Sequence, residues 1–101
     1  MFKVTMEMIK EYHDKSLFIS ETIRSLGRDN LLENSGLDKK NVQRIMETNH
    51  NNFEALNHSL NTGEVLGRMM FWFIKKTVDM NFNSVKSIKS AKTYKSQRNN
   101  I

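Results

Sequence analysis

The stretch RDNLLENSGLDKKNVQRIME, residues 28–47, places four apolar residues around a Ser35-Gly36 turn signal. Two short helices that meet at a tight turn need an apolar residue early in the first, one just after the turn, and two on the inner face of the second. Leu31, Leu37, Val42 and Ile45 stand at those places. Gly36 supplies the residue that tolerates positive φ. The outward positions of the second segment are then Lys39, Lys40, Asn41, Gln43 and Arg44, each able to bond a phosphate or a base edge.

Outward from this stretch the chain reads as helix. It has no proline and four glycines in 101 residues, where strands would need a supply of tight turns. Upstream, Phe2, Ile9, Tyr12, Ile19, Ile23 and Leu26 recur at steps of three, four or seven, the period of one helix face, interrupted by Ser16. Gly27 is expected to close that helix as a C-terminal cap. Asp38 is expected to cap a helix over about 39–47, and the polar run Thr48–Asn52 to form a loop. Phe53, Leu56 and Leu60 then define a further helix ending near Thr62-Gly63. Asn61 and Glu64 have the spacing of a capping box that opens a last helix over 64–79. The expectation is an all-α domain of about five helices over residues 1–80, with a central helix-turn-helix, followed by a basic arm over 81–101.

Charge supports this division. Residues 1–79 carry as many acids as bases, whereas residues 80–101 hold five bases and no acid, so the net +5 lies in the tail. From Ser84 the chain repeats in triplets, Ser-Val-Lys, Ser-Ile-Lys, Ser-Ala-Lys, Thr-Tyr-Lys and Ser-Gln-Arg. Three residues fall short of a helical turn, so the basic row drifts by about 60° per triplet. The reading is a weakly structured arm that becomes helical on a partner. Its bases Lys86, Lys89, Lys92, Lys95 and Arg98 are expected to contact phosphates.

The pattern SGLDKKNVQRI, followed by NNFEAL and Leu60, resembles the glycine turn, recognition helix and next helix of Cro and phage-repressor helix-turn-helix regulators, especially the antidotes of toxin-antitoxin modules. The resemblance covers residues 17–62. It implies a dimeric, sequence-specific regulator of double-stranded DNA with Lys39, Lys40, Asn41, Gln43 and Arg44 at the bases. It also implies that Arg28 and Asn51 lie against the phosphate backbone. A cognate toxin or another protein would be a further partner.

The run MMFWFI, residues 69–74, is apolar on every side of a helix. It predicts a self-association surface with Met69, Phe71, Trp72 and Phe73 at its centre, the competing readings being ordinary core and shallow membrane insertion. At six residues it is far short of the roughly 20 needed to span a bilayer, and no signal-peptide pattern is present. Cysteine is absent, which excludes thiolate chemistry and cysteine zinc sites and suits the cytoplasm. His50, Glu54 and His58 span about 12 Å of helix, too far to share one ion, so no metal or other cofactor is expected. No nucleophile motif, phosphate-binding glycine loop or paired carboxylate appears, and no catalysis is expected. The alternative to a DNA-binding regulator is a small phage or plasmid helical protein that modulates a host complex by protein–protein binding.

Overall fold

A computed structural model describes residues 3–28 and 39–99, with side chains through residue 87. The described residues form three helices, α1 (Met6–Arg28), α2 (Lys39–Thr62) and α3 (Arg68–Asn99). The fold is all-α, as expected, but not the arrangement of five helices. Leu31, Gly36, Leu37 and the cap residue Asp38 lie outside the described residues.

Thr5 opens α1, its hydroxyl accepting the amide of Met8 at 3.2 Å, so one of the four orphan donors of the first turn is satisfied. The apolar stripe is the buried face: Ile9, Tyr12, Ile19, Ile23 and Leu26 are all buried. Gly27 does not end the helix. It lies inside α1, and Gly63 is the one positive-φ glycine among the described residues. Ser16, which breaks the apolar stripe, is fully buried.

Ser16 is small and polar because α2 meets α1 there. Asn49, also fully buried, donates through its side-chain amide to the Ser16 carbonyl at 2.8 Å and to Ser20 Oγ at 2.7 Å. One turn further along α2, Phe53 stacks on His13 with ring centroids 4.6 Å apart. Residue numbers therefore fall along α2 as they rise along α1, an antiparallel pair. This seam explains why Thr48–Asn52 is no loop. Asn49 within it bonds polar groups of α1, His50 and Asn51 face outward, and α2 runs through them unbroken into the segment expected to be a separate helix.

Gly63, at φ 76°, turns the chain out of α2, with its amide bonded to the Ser59 carbonyl at 2.9 Å in the manner of a left-handed C-cap. The expected capping box does not form, because Asn61 is still inside α2 and α3 starts only at Arg68. From there α3 runs parallel to α1. Asp79 accepts from Tyr12 Oη at 3.1 Å and from Lys15 Nζ at 3.3 Å, and Phe82 packs on Phe18 with centroids 5.2 Å apart. Phe71, Ile74, Val78 and Val85 enter the common core with Ile45, Leu56 and the α1 stripe.

Helix α3 runs through residues 80 and 81 to Asn99, with Val85 fully buried beyond them, so the basic triplets lie on a helix where a weakly structured arm is expected. A helix of 32 residues is about 48 Å long, so α3 accounts for most of the molecule's longest dimension of 51 Å.

Two outcomes test this packing. Asn49→Ala removes two buried hydrogen bonds and should lower stability by about 1–2 kcal/mol in urea denaturation without loss of helix content. Burial, then the hydrogen bond to the Asp79 carboxylate and its charge, and finally the charge of Glu11, hold the Tyr12 phenol well above its ordinary value. A raised value means that this contribution is intact below pH about 10, where an unfolded tyrosine ionises, and is lost as pH rises beyond it. Tyr12→Phe should cost about 1 kcal/mol at neutral pH and show a weaker alkaline loss of melting temperature than wild type.

Candidate nucleic-acid interface

The up-down-up order of the helices brings separate stretches of sequence to one end of the bundle. Since α2 is antiparallel to α1 and α3 parallel to it, the C-terminal turns of α1, the N-terminal turns of α2 and the C-terminal half of α3 share that end. Arg24 and Arg28, Lys39, Lys40 and Arg44, and Lys86 are there, all exposed. Lys89, Lys92, Lys95 and Arg98 follow along α3. The acids on the same helical stretches are Glu21 and Glu47, and the connecting residues 29–38 add Asp29, Glu33 and Asp38 by sequence. The rest of the chain holds six bases and six acids in all, so the net +5 is that of these stretches together with the connecting residues. The charge belongs to an end of the bundle and not to a detachable tail.

At the start of α2, five expected base contacts occupy the first two turns. Lys39, Lys40, Gln43 and Arg44 are exposed and Asn41 is half-buried. Val42 and Ile45, the expected inner-face residues, pack against and within the bundle core. Gln43 Nε2 lies 3.4 Å from Glu47 Oε1, and Arg44 is 3.4 Å from Asn41 Oδ1, both long contacts that yield easily to a competing partner. No carboxylate among the described residues ion-pairs with Lys39, Lys40 or Arg44.

The first turn of α2 holds no acid. Two lysines there stand against the positive end of the helix dipole, an arrangement that weakens the free helix and favours an anion held over it.

Asn51, expected in a loop beside the backbone, is instead on α2 and exposed. It shares the outward row Lys40, Arg44, Glu47, Asn51 and Glu54, at steps of three and four. Carboxylates one turn to either side make it a poor phosphate contact. Positive potential on this row is confined to its first two turns.

The expected self-association residues divide. Phe71 is fully buried and meets Tyr12 edge to face at 5.5 Å, which removes it from any intermolecular surface. Met69, Trp72 and Phe73 are exposed at 77%, 51% and 63%. They lie on the outer face of α3, toward the opposite end from the basic groups. Sequence reasoning missed Val65, Met70 and Met80, which are also more than half exposed, and Arg24 at the basic end. Met80 stands one, two and three turns from Lys76, Phe73 and Met69, a spacing that could have flagged it.

Among the described residues no three His, Asp or Glu side chains converge as a metal ion would require, and no helix is long and apolar enough to cross a membrane. Comparisons with known protein families, curated proteins and solved structures find no match to this chain.

Relief of the clash with the dipole gives a direct check. Lys39→Glu with Lys40→Glu should raise the melting temperature by on the order of 2–4 °C at low salt, with the gain shrinking as salt is added.

Proposed function

We propose that the protein binds double-stranded DNA through its basic end, with the first two turns of α2 as the element presented to the groove. The observation that carries this reading is the gathering of Arg24, Arg28, Lys39, Lys40, Arg44 and Lys86 at one end by the helix order. Polyanion binding requires cations close enough to engage one phosphate array, and a basic end satisfies that where scattered surface lysines do not.

Within the reading, Arg28, Lys39, Lys40 and Lys86 hold phosphates. Gln43 offers an amide suited to adenine, and Arg44 a guanidinium suited to guanine. The helix-turn-helix resemblance points to the same turns of α2 as the reading element, although the next helix it implies is here the continuation of α2, and a regulatory role at a promoter comes with it. Because α2 continues to Thr62, that element is the start of a long helix, held to the core by Val42 and Ile45, whose later turns are anchored on α1 through Asn49.

Fluorescence anisotropy on a labelled duplex of the DNA upstream of the coding sequence, and on a scrambled duplex, tests this. Wild type should bind with an affinity that falls steeply with salt. The Lys39→Glu, Lys40→Glu variant should lose most of it while melting no lower than wild type. Each phosphate contact removed should reduce the slope of log K against log salt by about 0.9. Gln43→Ala should narrow the gap between the two duplexes by about 1–3 kcal/mol. Unchanged affinity in the double glutamate variant overturns the assignment.

A further inference from the structure

The outer face of α3 carries an apolar row that the bundle does not cover. Its inward positions are Phe71, Ile74, Val78 and Val85, all buried. On the other side Met69, Phe73, Lys76 and Met80 follow at steps of four, three and four, with Trp72 beside them. Met69, Trp72, Phe73 and Met80 are all more than half exposed, and at roughly 200 Å² for a large apolar side chain they leave on the order of 500 Å² open to solvent. That is as large as the biggest patch on an ordinary monomer. Paired with an equal area it reaches about 1,000 Å², the lower bound of a specific interface.

We propose that a second copy of this chain covers the row, α3 packing on α3 in antiparallel register. The steps four, three, four read the same from either end. When two such rows meet head to tail, Met69 of one copy faces Met80 of the other and Phe73 faces Lys76, the self-complementarity that a two-fold interface demands. Each copy offers an apolar recess of about 410 Å³ lined by Arg68, Met69, Trp72 and Phe73, and in this register the other copy's Met80 enters it. Methionine is the side chain best able to fill an irregular recess. Lys76 Nζ already lies over the Trp72 ring, 5.1 Å from its centroid, and the opposing Phe73 gives it a second ring face.

Charge selects the direction. A parallel pair would set Arg68 against Arg68 and Lys76 against Lys76, and would bring the basic halves of α3, Lys86 to Arg98, side by side. The antiparallel pair sends those halves to opposite ends. The proposal concerns the opposite end of the molecule from the DNA-binding surface and does not depend on it.

Cysteine is absent from the chain, so single cysteines report the register cleanly. Met69→Cys and Met80→Cys should form disulfide-linked dimers when mixed under mild oxidation and several-fold fewer when each is oxidised alone. Like positions in the antiparallel pair are about 16 Å apart, beyond disulfide reach. Wild type should sediment as a dimer at micromolar concentration without DNA. The single tryptophan should shift to the red on dilution. Phe73→Lys should raise the dimer dissociation constant more than about 10-fold with its helix signal intact, and Met69→Lys should do the same by a second route.

A wild-type monomer at those concentrations overturns the proposal. So does preferential self-linking of each cysteine variant, the mark of a parallel pair. Monomeric protein whose Trp72 emission shifts to the blue on vesicles of phosphatidylglycerol would also overturn it, by assigning the face to a lipid surface.

Discussion

The side-chain amide of Asn49 is buried between two helices with both of its hydrogens directed at α1, one to a main-chain carbonyl and one to a serine hydroxyl. An apolar seam between amphipathic helices tolerates sliding by a turn, because one aliphatic contact replaces another at little cost. A buried amide does not, since a slip leaves its donors without acceptors. The same seam also buries Asn49 Oδ1, His13 Nε2 and Asn52 Nδ2 without hydrogen-bond partners among the described residues, which offsets part of what the two bonds contribute. Its effect is to specify register more than to add stability. The level at which Lys39 and Arg44 stand relative to Arg24 and Arg28 follows from that register.

The third helix is positioned by different chemistry. Asp79 takes one hydrogen bond from Tyr12 and another from Lys15, and Lys15 lies over the rings of Tyr12 and Phe82 at 4.7 and 5.5 Å from their centroids. A half-exposed cluster of this kind gains little from charge alone. Its rings and the Phe71 edge beneath give it apolar contact as well, and together they keep α3 parallel to α1. The parallel direction sends the C-terminal half of α3 toward the start of α2, and leaves Met69, Trp72, Phe73 and Met80 facing outward along the rest of the helix.

Much of α1 was legible in the sequence, because Ile9, Tyr12, Ile19, Ile23 and Leu26 meet apolar neighbours and so display the helical period directly. The start of α2 and the exposure of Lys39, Lys40, Gln43 and Arg44 were legible for the same reason. Thr48–Asn52 was not. The burial of Asn49 within it depends on Ser16 and Ser20, 33 and 29 residues away, and an amide that finds its acceptors on another helix looks like loop when only one stretch of sequence is read. Gly27 misled because a glycine's identity permits positive φ without requiring it, whereas Gly63 takes it up. In MMFWFI every residue is apolar, so periodicity could not separate Phe71, which goes in, from Trp72 and Phe73, which stay out. The tail's charge suggested an arm because the buried anchor, Val85, sits between a serine and a lysine in the first of several like triplets and nothing in its spacing sets it apart.

Segregation of charge along a 51 Å axis has a kinetic meaning. At 0.1 M salt electrostatic potential decays over about 10 Å, so the two ends of the molecule are screened from each other several times over. A polyanion approaching from any side therefore exerts its pull on one end only, and the protein experiences a torque before it experiences contact. It turns end-on during diffusion, so that a larger fraction of collisions begin in a usable orientation and encounter rates rise as ionic strength falls. On the proposed DNA-binding reading, the apolar flank of α3, lying toward the electrically balanced end, enters the complex facing away from the charged surface.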